Sequence, residues 1–253
     1  MRMVRKDERK AAIGFGLLLL LVATGCGGSD KASKPDTASG ESTGKNTAQA
    51  TPGPSTGTPG GSATRRARVV LLGTSLTAGL GLDPEKAYPA LLQAKVDSAG
   101  FPITIVNAGL SGETSAGALR RANWVLDQPA AAVVLEVGAN DGLRGVDPDS
   151  TKANLLALIQ AVRKAQPSVR ILLVQMEAPT NLGRTYTTRF HQVYAEVARE
   201  ADIPLLPFLL DGVAGVAKLN QSDGIHPNVA GSKLVASTMW KGLEPTFALL
   251  SPP

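Results

Sequence analysis

The chain has 253 residues, a formal net charge of +5 at neutral pH and one cysteine. A single cysteine excludes an internal disulfide bond. The excess positive charge belongs to the N-terminal quarter, because the chain from Arg68 onward contains 16 Lys/Arg and 16 Asp/Glu residues. A neutral domain does not provide an extended basic face, so we predict no nucleic-acid partner.

The N-terminus resembles an export signal. Residues 1–10 carry five Lys/Arg residues, residues 11–22 are twelve residues without a polar side chain, and Ala23-Thr24-Gly25 precede Cys26. The apolar run is too short to span a bilayer and fits a signal peptide. The pattern resembles a bacterial lipoprotein signal over residues 1–25, cut before Cys26, whose thiol is then lipidated. An ordinary secretory signal is the alternative. We expect an exported lipoprotein anchored to a bacterial membrane through Cys26.

Residues 26–66 have the composition of a disordered tether. Of the 40 residues from Gly27 to Arg66, 30 are Gly, Ser, Thr, Pro or Ala, and none is a large aliphatic or aromatic residue. Such a segment buries too little apolar surface to offset the entropy lost on ordering. The foldable domain is therefore predicted to cover residues 67–253.

Short apolar runs and helical patterns alternate along this domain. Apolar runs with β-branched residues lie at 69–72, 103–106, 131–137, 169–174 and 203–206. Helical segments between and after them begin near Asp83-Pro84, Thr114, Asp147-Pro148, Arg184 and Asn228. This alternation predicts a three-layer α/β/α fold with a parallel sheet of about five strands.

Polar residues follow four of the predicted strands. Ser75 comes after the first, Gly112 after the second, Asn140 after the third, and Asp223 and His226 after the fifth. Right-handed crossovers place the carboxyl ends of parallel strands at the same edge of a sheet. Ligands bind at that edge in open α/β folds, so we expect these residues to meet there.

Ser75, His226 and Asp223 are candidates for nucleophilic catalysis. A serine hydroxyl needs a base to remove its proton, and the base works best when a carboxylate orients it. Asp223 precedes His226 by three residues with a glycine between them, so one tight turn brings the carboxylate to the imidazole. A simple turn histidine is the alternative for His226. The other histidine, His191, lies in a helical stretch and is interpreted as a surface or packing residue.

Gly112 and Asn140 are candidates for stabilising an oxyanion. Ester cleavage creates a negatively charged oxygen that needs N–H donors aimed at it. Gly112 lacks a Cβ and can bring its backbone N–H close to a ligand, while Asn140 can donate its side-chain amide. Each also has a simpler interpretation, a turn glycine for Gly112 and an Asn-Asp-Gly turn for Asn140.

Together these motifs resemble the blocks of the SGNH, or GDSL, hydrolase family, a flavodoxin-like α/β fold. The blocks are Gly73-Thr-Ser75-Leu, Ser-Gly112-Glu-Thr, Gly-Ala-Asn140-Asp and Asp223-Gly-Ile-His226-Pro. Asn140-Asp-Gly-Leu-Arg-Gly145 and Pro204-Leu-Leu-Pro-Phe208 further resemble the bacterial acyl-CoA thioesterase, lysophospholipase and arylesterase subgroup.

The resemblance implies a role for each block residue. Ser75 would be the nucleophile, His226 the general base and acid, and Asp223 its orienting carboxylate. The oxyanion hole would consist of the backbone N–H groups of Ser75 and Gly112 and the Asn140 amide. The family uses no metal or other cofactor, and the sequence contains no His/Cys cluster with metal-ligand spacing.

Three further residues draw attention. Thr74 stands where the family's eponymous motif has Asp, and we expect it to change the hydrogen bonding of the loop without abolishing activity. Glu136 lies inside the third apolar run, where a carboxylate needs a partner that the sequence does not identify. Arg144 follows the Asn140 turn, where it contacts substrate or caps a loop; the second interpretation is favoured.

The expected function is a serine esterase acting on small-molecule carboxylic esters: aryl or short acyl esters, lysophospholipids and thioesters. A carbohydrate O-deacetylase is the enzymatic alternative, because the same scaffold serves that chemistry. A lipid-anchored binding module with an inactive site is the alternative from another class, suggested by Thr74. We expect a monomer.

Overall fold

The computed structural model describes residues 66–251. The predicted signal peptide, the lipidation site at Cys26 and the predicted tether up to residue 65 lie outside the described residues. Among the helices of residues 66–251, none combines the length and the apolar character that crossing a membrane requires.

The core of the fold is one sheet of five parallel strands, as predicted. In chain order they are β1 (Ala67–Gly73), β2 (Ile103–Gly109), β3 (Ala132–Glu136), β4 (Arg170–Val174) and β5 (Leu205–Leu206). Their spatial order is β2-β1-β3-β4-β5. This is the flavodoxin-like order, in which ligands bind where the strand order reverses, beside β1 and β3.

In residues 66–251, seven α-helices connect and cover the strands. They are α1 (Ser75–Ala78), α2 (Tyr88–Ser98), α3 (Ser115–Val125), α4 (Ala139–Arg144), α5 (Pro148–Ala165), α6 (Arg184–Ala201) and α7 (Val229–Leu250). Helix α2 packs against α7, whereas α3, α5 and α6 pack side by side. These two groups cover opposite faces of the sheet and give the predicted three layers.

Strand β1 lies at the centre of the core. The side chains of Val69–Leu72 are at most 1% exposed, because helices cover both faces of this strand. Burying each such side chain contributes roughly 1.5–3 kcal/mol. The strand is thereby fixed up to Gly73, and the turn that carries Ser75 begins on a rigid support.

Two helix boundaries differ from the sequence prediction. The helix expected to start at Pro84 begins at Tyr88, because Ala87 is extended and separates it from a single 3-10 turn over Pro84–Lys86. Pro89 lies in the first turn of the helix, where its missing N–H is not needed. The last helix, which the sequence pattern predicts to end at Leu243, continues through Pro245 to Leu250, since Phe247 is completely buried against the core.

Within residues 66–251, two short α-helices were not predicted from the sequence: α1, a single turn after Gly73, and α4. The Asn-Asp-Gly segment, interpreted as a turn, forms α4, whose ends are both closed by glycines with positive φ, Gly138 at 109° and Gly145 at 63°. This short helix directs Asn140 and Arg144 toward the carboxyl edge of the sheet.

Candidate active site

Ser75 lies in a tight turn between β1 and α1. Thr74 is the N-cap of α1, and Ser75 is the first residue of that helix. The turn leaves no room at Gly73, where an added Cβ would lie 2.1 Å from Thr77 Oγ1 and 2.6 Å from Glu136 Oε2. A glycine is therefore required at the end of β1, and it lets the turn pack directly on β3.

The structure brings Ser75, His226 and Asp223 together in a chain of hydrogen bonds. Ser75 Oγ lies 2.8 Å from His226 Nε2, and His226 Nδ1 lies 2.7 Å from Asp223 Oδ2. Ser75 is 8% exposed, so its hydroxyl is shielded from bulk water but reachable. The distances are within the hydrogen-bond reach that nucleophilic catalysis requires of a hydroxyl and a base.

The Asp223 carboxylate is held in its charged form. Its Oδ1 accepts the backbone N–H groups of His226 and Ile225, each at 3.0 Å. Three hydrogen bonds lower the pKa of Asp223 to about 2. The largest effect comes from the His226 backbone N–H, followed by the Ile225 backbone N–H and the His226 ring. A carboxylate that stays ionised at neutral pH can stabilise an imidazolium beside it.

The loop that carries His226 is tied to the turn after Ser75. The backbone N–H of Gln221 donates to the His226 carbonyl at 2.7 Å, and its side-chain amide donates to the Leu80 carbonyl at 2.7 Å. Asn228 caps α7 through its side-chain oxygen, which accepts from Ala230 and Gly231. These contacts fix the imidazole relative to Ser75 across a separation of 151 residues in the chain.

The residues predicted for an oxyanion hole surround the same edge. Asn140 Nδ2 donates to the Glu113 carbonyl at 3.0 Å. Gly112 has a φ of 77°, which a glycine adopts without strain, and its carbonyl accepts from Arg144 Nη2 at 2.9 Å. Within residues 66–251, the backbone N–H groups of Ser75 and Gly112 have no protein acceptor. Arg144 therefore caps the loop through the Gly112 carbonyl, which agrees with the interpretation favoured from the sequence.

A buried ion pair fixes the Gly112 loop from behind. Arg121 Nε and Nη2 each donate to the Glu113 carboxylate at 2.6 Å, and Nη2 also donates to the Ala108 carbonyl at 2.8 Å. The Glu113 side chain is 3% exposed. A bidentate pair of this kind fixes orientation as well as position, so the loop after β2 presents its backbone N–H groups in one geometry.

A second buried carboxylate joins that loop to α4. The Asp141 carboxylate accepts the backbone N–H of Ser115 at 2.8 Å and its hydroxyl at 2.5 Å. Asp141 is 1% exposed. Together with the hydrogen bonds of Asn140 and Arg144, these contacts hold α4 and the Gly112 loop as one unit.

The partner of Glu136 is the turn that carries Ser75. Glu136 accepts the Thr74 backbone N–H at 2.8 Å, the Thr74 hydroxyl at 3.0 Å and the Thr77 hydroxyl at 2.8 Å. The Thr77 hydroxyl is in turn 2.7 Å from that of Tyr88. Glu136 is fully buried, and this desolvation raises its pKa to about 7 despite the donors around it.

A cleft of about 480 Å³ opens beside Ser75. Its wall includes Ser75, Asn140 and His226. Most of its other side chains are apolar, among them Leu76, Leu143, Met176, Phe208, Leu210 and Ile225. Clefts of this size and character bind small organic ligands, with a few polar groups fixing their orientation.

The remaining candidates lie apart from this chain of hydrogen bonds. His191 is 62% exposed on α6, in keeping with its interpretation as a surface residue, although its Nδ1 lies 2.7 Å from Glu177 Oε1. Glu177 follows β4 and His191 lies on α6, so their pairing depends on the tertiary fold and could not be predicted from their spacing in the sequence. Across residues 66–251, no three His, Cys, Asp or Glu side chains gather in a way that could ligate a metal ion.

A flavodoxin-like sheet with a strand-end serine, a paired histidine and a mostly apolar cleft is an arrangement suited to the hydrolysis of small molecules. Residues 71–234 match the GDSL-like Lipase/Acylhydrolase family. This match covers well over half of the chain, and the chain belongs to that family. It is accordingly a carboxylic ester hydrolase.

Characterised relatives and a solved structure agree with this assignment. The chain is 39% identical over 178 residues to esterase TesA of Pseudomonas aeruginosa, covering 70% of this chain and 88% of TesA. It is also 39% identical to thioesterase 1/protease 1/lysophospholipase L1 of Escherichia coli K12, covering 70% and 83%. The structure of the psychrotrophic esterase EstA from Pseudoalteromonas superposes with a TM-score of 0.67 at 33% identity, covering 71% of this chain and 97% of EstA.

Proposed function

We propose that this chain is a serine esterase that cleaves carboxylic esters through an acyl-enzyme formed on Ser75. The proposal is supported above all by the 2.8 Å distance between Ser75 Oγ and His226 Nε2. On the other side of the ring, His226 Nδ1 lies 2.7 Å from Asp223 Oδ2. A histidine so placed, facing an apolar cleft, suits a general base. The family match indicates ester hydrolysis, and the proposal adds a catalytic role for each of the three residues.

In the first half of the reaction, His226 Nε2 takes the Ser75 proton while Oγ attacks the ester carbonyl. Asp223 keeps the Nδ1 proton in place and stabilises the imidazolium that forms. When the tetrahedral intermediate collapses, the imidazolium returns its proton to the departing alcohol. In the second half, His226 Nε2 takes a proton from water while the water oxygen attacks the carbonyl of the acyl-enzyme. When this intermediate collapses, the bond to Ser75 Oγ breaks, Oγ regains the proton from His226, and the carboxylic acid is released.

The negative charge of each intermediate needs donors that are already in place. The backbone N–H groups of Ser75 and Gly112 suit this role, since they have no acceptor within residues 66–251. A neutral amide nitrogen has two N–H groups. Asn140 uses one on the Glu113 carbonyl, and we assign the other to the oxyanion. Each donor of this kind lowers the activation free energy by ~3–4 kcal/mol.

We propose aryl esters, short acyl esters and lysophospholipids as substrates, with thioesters as a further group. The cleft of about 480 Å³ holds a short acyl chain or an aromatic leaving group between apolar walls. Two similar proteins are named for esterase, thioesterase and lysophospholipase activity, which supports the same range. Within residues 66–251, no structural feature favours the O-deacetylase alternative. Acetylated sugars assayed beside acyl esters test it.

Burst kinetics test the acyl-enzyme. With p-nitrophenyl acetate and butyrate, the protein should release one equivalent of nitrophenol rapidly before steady turnover. The Ser75→Ala variant should lose the burst and about 10⁶ in kcat. Ser98→Ala is the matched control, because Ser98 is an exposed residue of α2 whose hydroxyl donates to the Ala94 carbonyl. Retention of more than a few per cent of activity in Ser75→Ala would contradict the assignment.

We further propose that the protein is exported and held on a membrane by lipidation of Cys26. The proposal is supported by the sequence of residues 1–26 alone. Metabolic labelling with a palmitate analogue, followed by membrane fractionation, tests it. The wild-type chain should carry the label and sediment with membranes, and Cys26→Ala should do neither. An unlabelled wild-type chain would favour an ordinary secretory signal.

A further inference from the structure

The apolar cleft beside Ser75 contains an acidic side chain for which the ester hydrolysis described above has no use. Within residues 66–251, the cleft wall includes Glu177 and neither lysine nor arginine. The Glu177 side chain is 32% exposed, so it is partly desolvated. A partly desolvated carboxylate in a mostly apolar wall needs hydrogen-bond or charge partners. The contacts of Glu177 and its position after β4 indicate which group of a bound ligand it can interact with.

One carboxylate oxygen of Glu177 is held by the protein and the other is not. Oε1 lies 2.7 Å from His191 Nδ1 and accepts from Gln175 Nε2 at 3.2 Å. Among residues 66–251, Oε2 has no hydrogen-bond donor. The carboxylate is thus oriented by its neighbours, while Oε2 remains available to a group bound in the cleft.

The sheet fixes how far Glu177 lies from the reacting serine. Ser75 follows β1 and Glu177 follows β4, and these strands are separated by β3 alone. Neighbouring strands lie about 4.8 Å apart, so the two chain segments are separated by roughly 10 Å. Both residues line the same cleft. A substituent roughly 5–8 Å from the scissile carbonyl carbon therefore reaches the carboxylate.

We propose that Glu177 is a specificity-determining residue that makes the enzyme prefer esters bearing a positively charged ammonium group over neutral esters of the same shape. The inference rests on the proposed function, because it assumes that the cleft binds the ester. The basic group in contact with the carboxylate, His191, is charged only when protonated, and the cleft wall within residues 66–251 contains neither lysine nor arginine. A single pair of opposite charges in a partly solvated site gives about a five- to tenfold preference.

Pairs of esters that differ only in charge test this preference. Butyrylcholine and 3,3-dimethylbutyl butyrate place the charge in the alcohol. The p-nitrophenyl esters of 6-(trimethylammonio)hexanoate and 7,7-dimethyloctanoate place it in the acyl chain. The ratio of kcat/KM for the charged and neutral members should be about five to ten for at least one pair in the wild-type enzyme. It should fall as salt is raised, since exposed charges are screened.

Both variants should lower the ratio, the charge reversal more than the neutralisation. Glu177→Gln should bring the ratio close to one, and Glu177→Lys should bring it below one. Glu244→Gln is the matched control, because Glu244 is an exposed residue of α7 outside the cleft, and it should keep the wild-type ratio. The salt dependence of the wild-type ratio needs no variant, so a Glu177 variant that fails to fold leaves the inference testable.

The outcomes separate the two proposals. Ser75-dependent hydrolysis of the neutral esters with wild-type ratios near one for both pairs would overturn the inference and leave the proposed function intact. A wild-type ratio above one that Glu177→Gln preserves would also overturn it. Absence of Ser75-dependent hydrolysis of any of the four esters would count against the proposed function itself.

Discussion

The Thr74 hydroxyl donates to the Glu136 carboxylate at 3.0 Å, and the Thr74 backbone N–H donates to the same carboxylate at 2.8 Å. Thr74 is 1% exposed and Glu136 is not exposed at all. The residue that departs from the family motif and the carboxylate buried in β3 are therefore partners. Because Ser75 follows Thr74 directly, this pair holds the turn on which the proposed nucleophile depends.

Removal of the Thr74 hydroxyl should weaken this turn. Thr74→Val has a similar shape but leaves the buried carboxylate short of a donor, which costs about 1–3 kcal/mol of folding free energy. We expect a lower melting temperature and a kcat reduced about tenfold, because Ser75 is less firmly placed. Thr74→Ser keeps the hydroxyl and is the control. Equal melting temperatures and kcat values for the two variants would contradict the role given to this hydrogen bond.

Replacement of Glu136 by glutamine should change how stability depends on pH. The pKa of Glu136 is raised from 4.5 to about 7 in the fold, so between these values the folded protein keeps a proton that the unfolded chain has lost. Its contribution to stability is therefore present below pH 4.5 and is lost as pH rises through 7. Wild type should lose on the order of 3 kcal/mol relative to Glu136→Gln across this window.

Urea denaturation at a series of pH values measures this difference directly. The free energy of unfolding of wild type minus that of Glu136→Gln should fall from pH 4.5 to 7 and then become constant. Taking the difference removes the contributions of groups that titrate in both proteins. A difference that is constant across the range, or that rises with pH, would show that Glu136 is ionised in the fold well below neutral pH.

Neutralising Asp223 should reduce catalysis with little effect on folding. Asp223→Asn should lower kcat by about 10⁴, because an amide favours the wrong tautomer of His226. KM should change much less. Asp127→Asn is the control, since Asp127 is exposed after α3. Steady-state kinetics with p-nitrophenyl butyrate measures both. Parallel loss of activity in the two variants, or a loss below tenfold in Asp223→Asn, would remove Asp223 from its proposed role.

The pH profile gives a second view of Asp223. Its pKa is lowered from 3.8 to about 2, so its contribution to stability is present above pH 3.8 and is lost as pH falls through 2. Activity lost between pH 7 and 4 therefore does not arise from this carboxyl. Measurement of kcat and of circular dichroism over that range should show activity falling while the fold is intact.

Truncation of Asn140 should affect the transition state more than substrate binding. Asn140→Ala removes the amide that we assign to the oxyanion, and kcat should fall by about 10²–10³ with KM changed less. Asn123→Ala, at an exposed position of α3, is the control. The melting temperature reports any loosening caused by removal of the hydrogen bond to the Glu113 carbonyl. An unchanged kcat would exclude the amide from the oxyanion hole.

The fold and the residues around Ser75 could be predicted from the sequence because they depend on local patterns. Buried strands appear as continuous apolar runs, and turn residues follow them, so the parallel sheet predicts where Ser75 and His226 meet. The spacing of Asp223 and His226 within one turn likewise indicates their pairing. These relationships need no knowledge of how side chains pack across the sheet.

What the sequence does not indicate depends on contacts between strands and helices distant in the chain. Glu136 and Thr74 lie 62 residues apart, and their pairing follows from the register that places Gly73 beside Glu136. Likewise, Glu177 is brought to the cleft by the position of β4 two strands from β1. Helix α4 was interpreted as a turn because Asn-Asp-Gly is a common turn sequence, and tertiary contacts to the Gly112 loop override that tendency.

The hydrogen bonds between α4 and the Gly112 loop have a consequence for protein engineering. Asn140 and Arg144 on α4 donate to carbonyls of the loop, and Asp141 accepts from Ser115 at its far end. A graft that exchanges only one of these segments with a homologous enzyme would separate donors from acceptors. The segment from Gly112 to Ser115 and the helix from Ala139 to Arg144 should therefore be transplanted together, as a single cassette.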